Sequence, residues 1–417
     1  MEKQKRIPKR RFREFLEAGE WEKNTLGDIG RCQSGIGFPD DEQGGRIGIP
    51  FYKVSDMNNM GNERVMTNAN NYVTCEQIKN NAWHPITDVP AVIFAKVGAA
   101  VLLNRKRMVY QSFLIDNNTM AYKLGDRWND EFCKSLFDTL NFPSLVQVGA
   151  LPSYNANDVE RMEVYLPVLA KEQQKIGDFC RRLDTLISLH QQKLSKLKEL
   201  KQAYLTEMFP APGEKRPWRR FKGFSGNWTE KILCHLAEIK DSARVPNNLW
   251  TSEGVPYLRS SDLANKGLTG DLYISHHSYE MYKAQTGAPS MGDVLFTSGG
   301  QVGITFLKED DSPLYVQGGA VLYVKTSSSK NLCGQYLKTF FEMNIMQSYM
   351  ANASVGGTIK HFTVGPASNA LITYPSVEEQ QLIGDFFKRI DNSLYSCQDK
   401  LNKLQSLKQA YLSELFV

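Results

Sequence analysis

Two stretches of the chain read almost alike: EQQKIGDF at residues 172–179 and EQQLIGDF at residues 379–386. When the alignment runs on to Phe209 and Phe416, 22 of the 38 paired positions are identical. Similarity at a fixed offset is typical of proteins built from internal repeats. The chain is therefore interpreted as a tandem duplication, and the two stretches begin the best-preserved part of each copy.

Weaker similarities precede each copy and keep the same order along the chain. The paired segments are RFREFLEAGEW and RFKGFSGNW (11–21, 220–228), IPFYKVSDMNN and VPYLRSSDLAN (49–59, 255–265), VIFAKVG and VLFTSGG (92–98, 294–300), and VGALPSYN and GGTIKHFT (148–155, 356–363). Each half is thus a variable body of about 150 residues followed by a closely matched tail of about 45 residues.

The bodies and the tails predict different secondary structure. Short apolar or alternating runs such as AVIFAKV and DVLFTS, separated by Gly, Asn and Asp, indicate mixed β structure in the bodies. In the tails, apolar residues recur every three or four positions, which is the stripe of a helix that packs on a partner helix. A helix of 38 residues is about 57 Å long, and the obvious cover for its stripe is the other copy, which we expect to pair in antiparallel orientation.

The predicted helix-pair interface includes positions from both copies, and the stripe continues through Leu200 and Leu407. These positions are Ile176, Phe179, Leu183, Leu197, Tyr204, Ile383, Phe386, Ile390, Leu404 and Tyr411. Ser376 and Glu379 predict a capping box at the start of the second helix. Gly177 and Gly384 lie inside the helices, where each costs about 1 kcal/mol relative to Ala, and they are interpreted as points of close approach or as turn-entry residues.

Length and composition limit the class of protein. A chain of 417 residues exceeds one ordinary core and indicates two or more domains. No apolar run approaches the roughly 18 residues of a membrane span, and the charged N-terminus has no apolar region behind it, so neither a span nor a secretory signal is expected. The seven cysteines are scattered singly, which favours reduced thiols and a cytoplasmic location over a disulfide framework or a zinc module.

Positive charge is concentrated in two segments. The net charge is only +5, but residues 1–15 hold seven Lys and Arg, and residues 214–222 hold five. Basic segments of this kind favour a polyanionic partner, because each phosphate contact releases counterions. A solvated, solubilising surface is the alternative interpretation for either cluster.

Motifs for catalysis are missing from the sequence. There is no phosphate-binding loop of the type G-x-x-x-x-G-K-[ST], and the dipeptide Gly-Lys never occurs. The Asn-Pro-Pro motif of amino-methyltransferases is absent, and PDDE at residues 39–42 lacks the lysine that a nuclease site would require. We predict neither a catalytic residue nor a metal site.

The duplicated pattern resembles the specificity (S) subunit of type I DNA restriction–modification systems. The resemblance rests on KEQQKIGDFCRRLD (171–184), EEQQLIGDFFKRID (378–391), the LKQAYL endings and RFKGFSGNW, and it covers the whole chain. It implies an α+β fold with two mixed, β-rich target-recognition domains at 1–165 and 211–372. Two long helices, in spacer regions at 166–210 and 373–417, would pack as an antiparallel coiled coil, giving a pseudo-two-fold tandem repeat.

The resemblance also implies a function. Each domain would bind one half of a split, asymmetric target in double-stranded DNA, and the helices would set the gap between the halves. The chain would be non-catalytic and would carry no cofactor. Two modification subunits would bind S-adenosylmethionine and methylate adenine, and restriction subunits would use ATP and Mg. A coiled-coil scaffold that binds proteins or glycans, and a self-contained enzyme with a cryptic site, are the alternatives.

Polar positions in the repeated loops are the candidates for DNA contact, because Lys, Arg, Asn, Gln, Ser and Asp supply phosphate contacts and base readout. In the first domain they are Lys53, Ser55, Asp56, Lys96, Ser153, Tyr154 and Asn155. In the second they are Arg259, Ser260, Ser261, Asp262, Ser298, Gln301, Lys360 and His361. Arg10, Arg11, Arg219 and Arg220 are candidates for clamping phosphates. The alternative for the Asp residues is that they cap turns.

Overall fold

The computed structural model describes residues 6–146, 151–356 and 360–417. The chain divides into two compact units, one made of Met1–Gln191 with Asp399–Val417 and the other of Gln192–Gln398. Each unit therefore combines one body with parts of both long helices. Within the described residues, no helix is both long enough and apolar enough to cross a membrane.

The first body is a mixture of short strands and helices. Its strands are β1 (Glu22–Thr25), β2 (Gly30–Ser34), β3 (Ile49–Tyr52), β4 (Tyr72–Val73), β5 (Ala91–Ala95), β6 (Lys106–Val109), β7 (Leu114–Ile115), β8 (Thr119–Leu124) and β9 (Glu163–Leu166). Its helices are α1 (Leu26–Ile29), α2 (Cys75–Asn80), α3 (Asp130–Thr139) and α4 (Ala156–Glu160). Short 3-10 turns include Val54–Asn58 and Ala99–Leu103.

A central sheet in the order β2-β8-β5-β6 holds this body together, beside smaller sheets in the orders β4-β3-β7 and β1-β9. All five residues of β5 are buried, which explains why AVIFA shows no alternation of apolar and polar residues. Val92 and Phe94 belong to the core cluster on one face of the sheet, and Ala91 and Ile93 to the cluster on the other face.

The second body follows the same plan. Its strands are β10 (Thr229–Ile232), β11 (Ile239–Asp241), β12 (Trp250–Thr251), β13 (Val255–Leu258), β14 (Tyr273–Ile274), β15 (Val294–Thr297), β16 (Thr305–Leu307), β17 (Tyr315–Val316), β18 (Val321–Val324) and β19 (Leu371–Tyr374). Its helices are α6 (Ser260–Lys266), α7 (His276–Thr286), α8 (Gly334–Phe341), α9 (Asn344–Ala353) and α10 (Val364–Ser368). The sheet orders β11-β18-β15-β16, β12-β14-β13-β17 and β10-β19 repeat the first body's pattern with one added strand, β12.

Two long helices follow the bodies, α5 (Ala170–Glu207), which comes between α4 and α6, and α11 (Val377–Leu415). In the first unit the ring of Phe179, near the start of α5, meets the ring of Tyr411, near the end of α11, with centroids 4.8 Å apart at 80°. In the second unit Tyr204 and Phe386 make the equivalent contact at 4.9 Å and 88°. Start meets end in both units, so the helices run antiparallel, which confirms the predicted fold class.

The predicted stripe is largely covered. Ile176, Leu183, Ile383 and Ile390 are buried, whereas Phe179, Leu197, Tyr204, Phe386, Leu404 and Tyr411 are half-buried. Leu200 and Leu407 differ from the prediction, since they are 44% and 43% exposed. Each lies three residues after Leu197 or Leu404, about 60° around the helix, and therefore at the edge of the stripe.

Candidate DNA interface

The first residue of each duplicated motif binds an arginine that lies ahead of the same body. Glu172 receives two hydrogen bonds of 2.7 Å from the Nε and Nη2 atoms of Arg11, and Glu379 receives the same pair, also 2.7 Å each, from Arg220. Both carboxylates are 1% exposed, and the Arg11 side chain is 4% exposed. Bidentate Arg–carboxylate pairs of this kind fix geometry as well as charge.

These pairs correct two predictions. Arg11 and Arg220 do not present free guanidinium groups to a DNA phosphate, because buried carboxylates already occupy them. The capping box predicted at Ser376 is only half present. The amide of Glu379 lies 3.4 Å from the Ser376 hydroxyl, but the Glu379 carboxylate is turned to Arg220.

Arg10 and Arg219, the other two clamp candidates, lie at the ends of the long helices. The amide of Arg10 donates to the carbonyl of Glu414 at 2.8 Å, and that of Arg219 donates to the carbonyl of Glu207 at 2.7 Å. Their side chains pair with the same glutamates but stay 56% and 51% exposed. A contact with phosphate therefore remains a prediction for these two residues.

The glutamine and glycine of the motif also contact the body. Gln173 accepts from the amide of Asn129 at 3.0 Å, where α3 starts, and Gln380 accepts from the amide of Cys333 at 2.9 Å, where α8 starts. A Cβ on Gly177 would lie 2.5 Å from the backbone nitrogen of Phe132. Of the two interpretations left open for the motif glycines, close approach is the one that Gly177 satisfies.

A lysine near the end of each helix binds carboxylates of the other helix and of the body. Lys408 lies 2.7 Å from Asp184 and 3.1 Å from Asp138. Lys201 lies 2.6 Å from both Asp391 and Glu342. Burial raises the pKa of Asp138, but Lys134 and Lys408 outweigh burial and lower it to about 2. The duplicated tail is therefore a set of matched contacts that joins body to helix and helix to helix.

The loops with the candidate DNA-contacting residues come together in the first domain. Val97 and Ser153 form an antiparallel bridge, and the amide of Tyr154 donates to the carbonyl of Lys96 at 3.3 Å. Lys96 and Ser153 are both half-buried at the surface of this bridge.

The second domain brings together the equivalent loops. Gly299 and His361 form the matching antiparallel bridge, and the amide of Phe362 donates to the carbonyl of Ser298 at 2.7 Å. A Cβ on Gly300 would lie 3.8 Å from the hydroxyl of Ser260, so the first turn of α6 borders the same surface. The sequence prediction thus selected segments that meet in space, although they are up to 102 residues apart (362 − 260).

Several candidates on these loops have structural roles instead. Asp56 is buried and accepts from the amide of Lys53 at 2.7 Å, and Asp262 is buried and accepts from the amide of Arg259 at 2.9 Å. Tyr154 is 5% exposed and donates its hydroxyl to the carbonyl of Ala95. These three residues hold turns and the core, so the prediction of base contacts is corrected for them.

Two further candidates have limited freedom to contact DNA. Ser298 is 2% exposed, which removes it from the list of surface contacts. Asn155 is exposed, but its side chain accepts from the amide of Asp158 at 3.1 Å and caps α4. The remaining candidates are exposed or half-buried, and DNA contact stays a prediction for them: Lys53, Ser55, Lys96, Ser153, Arg259, Ser260, Ser261, Gln301, Lys360 and His361.

Sequence reasoning missed the partners of the motif residues. Glu172 and Arg11 are 161 residues apart, and nothing in local spacing pairs them. The signal that could have found them is the repeat itself, because an Arg-Phe pair precedes each body and a Glu-Gln-Gln triplet follows each body.

Comparison with known proteins identifies the family of this chain. The model of a family described as the type I restriction modification DNA specificity domain matches the chain twice, over residues 18–199 and 225–406. The chain belongs to this family. A curated protein from Haemophilus influenzae, named provisionally as a type I restriction enzyme specificity subunit, is 24% identical over 166 residues, and that alignment spans 39% of this chain and 40% of the relative.

Solved structures of specificity subunits resemble the whole chain. The crystal structure of a type I restriction–modification S subunit from M. genitalium covers 99% of both chains at 12% identity, with a TM-score of 0.67. The HsdS subunit from Thermoanaerobacter tengcongensis covers 95% of this chain and 96% of its own at 18% identity, with a TM-score of 0.41. At these identities the first similarity bears on the fold of the chain alone.

Proposed function

We propose that this chain is the DNA specificity subunit of a type I restriction–modification system and recognises a bipartite, asymmetric target. The observation that supports this most directly is the match of the family model to both halves of the chain. The two halves share their tail contacts but differ in the polar side chains at their bridged loops. Two half-sites of different sequence follow from that difference.

Each specificity domain would bind duplex DNA with the loops that meet at its bridge. In the first domain, Lys53, Ser55, Lys96 and Ser153 would supply phosphate and base contacts. In the second, the corresponding surface has Arg259, Ser260, Ser261, Gln301, Lys360 and His361. Cationic side chains fix the protein on the backbone, while hydroxyl and amide groups read base edges.

The long helices would set the gap between the two half-sites. Helix α5 has 38 residues and α11 has 39, so each is about 57–59 Å long. Half-sites on one face of B-DNA lie about 34 Å apart per helical turn, which is shorter than either helix.

The same helices would bind the two modification subunits. Apolar side chains that are more than 40% exposed occur along them, and apolar side chains of this kind are typical contacts for a protein partner. They are Leu186, Leu189, Leu200, Val377, Leu382, Tyr395 and Leu407.

We assign the catalytic steps to the modification and restriction subunits. S-adenosylmethionine would bind to the modification subunits, and ATP and Mg to the restriction subunits, which would translocate and cleave DNA. An adenine methyltransferase must turn its base out of the duplex, so the specificity domains must also accept distorted DNA.

Binding measurements on the chain with its modification partner test the proposal. We expect tight, salt-sensitive binding to duplexes that share one bipartite sequence, and weaker binding to shuffled duplexes. Equal binding to every duplex would exclude sequence recognition. Binding that does not depend on salt would favour the scaffold alternative, and methyl transfer by this chain alone would favour the enzyme alternative.

A further inference from the structure

One loop of the first domain is longer than the equivalent loop of the second. Between Asp56 and Tyr72 the chain has 15 residues, whereas the equivalent interval between Asp262 and Tyr273 has 10. The longer loop, residues 57–71 and here called the asparagine loop, contains six asparagines. It follows directly on the Lys53–Asp56 turn, which holds the candidate DNA-contacting residues Lys53 and Ser55.

The asparagine loop is held rigidly by its own side chains. Asn62 is fully buried, and its amide group donates to the carbonyls of Asp56 and Asn68, each at 2.8 Å. Its carbonyl oxygen accepts from the amides of Thr67 at 2.8 Å and Asn68 at 3.2 Å. The carboxylate of Asp56 accepts from the amide of Asn70 at 3.0 Å. A loop so bonded loses little conformational entropy when a ligand binds it.

Contacts at its base fix the loop to the rest of the first unit. Val65 bridges to Met108 on β6, and the amide of Met66 donates to the carbonyl of Met108 at 2.8 Å. Arg64 pairs with Glu131 on α3 and, at 3.0 Å, with Asp184 on α5. The loop is therefore tied to the sheet and to the long helix of its own unit.

The outer side of the loop presents polar and apolar groups to solvent. Met60 is 87% exposed, and Asn58 and Asn70 are exposed, while their Oδ1 atoms accept from Arg105 and, at 3.1 Å, from Asn59. Asparagine side chains suit adenine, which offers one acceptor and one donor in the major groove, and apolar side chains contact the methyl group of thymine.

Two arginines beside the loop have no carboxylate partner among the described residues. Arg105 donates to the side chain of Asn58. Arg107 reaches only the carbonyls of Lys106 at 3.1 Å and Met57 at 3.5 Å, and its Nε atom, buried, bonds to nothing in the described chain. Burial and the nearby Arg105 lower the pKa of Arg107, whereas the carboxylates of Asp138 and Glu63 raise it.

The second domain lacks this cationic pair. Arg107 pairs with Ile93 across the sheet, and the residue in the same register of the second domain, opposite Leu295, is Phe306. A guanidinium in one domain thus occupies the place of an aromatic ring in the other. The difference lies in a strand that both domains share, so it is a difference of side chain and not of fold.

We propose that the asparagine loop, with Arg105 and Arg107, is a DNA-reading element that only the first domain possesses. The arginines bind a backbone phosphate, while Asn58, Met60 and Asn70 face the bases of that domain's half-site. The proposal rests on the proposed function and adds to it the residues that distinguish one half-site from the other. If a protein partner occupies this surface instead, variants of the loop and of the arginines keep the wild-type base preference and salt slope.

Variants of the loop and of the arginines test the two parts separately. The full chain with its modification partner is titrated with a duplex library randomised in both half-sites, at several salt concentrations. For Arg107→Gln we expect about tenfold weaker binding to all duplexes. The slope of log affinity on log salt should also fall by about 0.9, the loss of one phosphate contact. For Asn58→Ala with Met60→Ala we expect base preference to relax in one half-site and to persist in the other.

Controls keep the outcomes distinct. Lys171→Gln removes the same charge from an exposed position at the start of α5 and should leave the salt slope unchanged. Arg105→Gln repeats the phosphate test in case Arg107→Gln fails to fold. If wild-type protein shows no bipartite preference, the proposed function fails. If wild-type protein does show it, and the loop variant keeps both half-site preferences or the arginine variants keep the salt slope, the element proposed here is overturned.

Discussion

The two tails of this protein share their side-chain contacts, whereas the two sets of bridged loops share a backbone pairing and differ in side chains. In the tails, Glu172 and Glu379 bind equivalent arginines, and Lys408 and Lys201 bind equivalent aspartates, at nearly the same distances. At the bridges between the loops the backbone pairing repeats, between Val97 and Ser153 and between Gly299 and His361, whereas the side chains at these positions differ. A duplicated chain can therefore preserve side-chain contacts in one region and, in another, preserve the backbone pairing while the side chains differ.

The largest expected effect is on the buried ion pairs of the tails. Glu172→Ala would leave the buried Arg11 without a counterion, and Glu379→Ala would leave Arg220, which is 17% exposed, without one. Each should lower the free energy of unfolding by about 3–5 kcal/mol, measured by urea denaturation. The control is Glu414→Ala, which breaks the exposed pair with Arg10 and should cost far less, because exposed ion pairs contribute little to stability. If either of these two variants loses no more unfolding free energy than this control, the two tails do not stabilise the protein in the same way.

Replacing the motif glycine with alanine should destabilise the protein slightly more in the first tail than in the second. Gly177→Ala places a Cβ 2.5 Å from the backbone nitrogen of Phe132, which cannot move without the whole of α3. Overpacking of this kind costs about 1–3 kcal/mol and exceeds the roughly 1 kcal/mol that alanine gains in helix propensity. At Gly384 the nearest atom is Cγ of Gln335, at 2.9 Å, a flexible side chain, so Gly384→Ala should cost less. Melting temperatures of the two variants give the comparison, and an equal or reversed order would contradict it.

Acid should weaken the first unit through Asp138. Its pKa is about 2 in the folded protein against an ordinary value of 3.8, because Lys134 and Lys408 outweigh burial. A lowered carboxyl pKa stabilises the fold above about pH 4, and that contribution, about 2 kcal/mol, is lost as the pH falls towards 2. The difference in urea midpoint between wild type and Asp138→Asn should therefore shrink from pH 7 to pH 2.5. A constant difference would show that the charge of Asp138 is not what matters.

The smallest effect on stability is expected at the bridged loops. Lys96→Ala and Gln301→Ala alter exposed or half-buried positions and should change the free energy of unfolding by no more than about 0.5 kcal/mol. Their effect on DNA should be larger. Lys96→Ala should lower the salt slope by about 0.9, whereas Gln301→Ala should change base preference in the other half-site. Calorimetry and DNA titration on the same samples would check both effects. A large loss of stability would show that these residues stabilise the fold.

The helix pairing and the tail contacts could be predicted from the sequence more completely than the surface of the candidate DNA-contacting loops. Helix pairing followed from a stripe that each copy repeats, and the close approach at Gly177 followed from a glycine kept where alanine would favour the helix. The partner of Glu172 could not be found in this way, because Arg11 is distant in the chain and both are charged residues that usually face solvent. Asp56 and Tyr154 were misassigned because capping aspartates and buried tyrosines have the same side chains as residues that contact DNA.

The asparagine loop shows a different limit. Its six asparagines are visible in the sequence, but the role of Asn62 as the buried centre of the loop depends on six hydrogen bonds among residues 56–68. Arg107 likewise reads as one basic residue among many until its register opposite Ile93 and its lack of a carboxylate partner in the described chain are known. Such features arise from tertiary context, which local patterns do not record.

The central claim is that the helices set spacing while the bodies read sequence. Seven residues inserted between Leu186 and Leu197, with a matching heptad at the equivalent place in α11, lengthen both helices by about 10 Å, close to the rise of three base pairs. Methylated adenines are then mapped across a genome whose modification partners act with wild-type or lengthened chain. We expect the same two half-sites separated by a longer gap. Altered half-sites with an unchanged gap would contradict it.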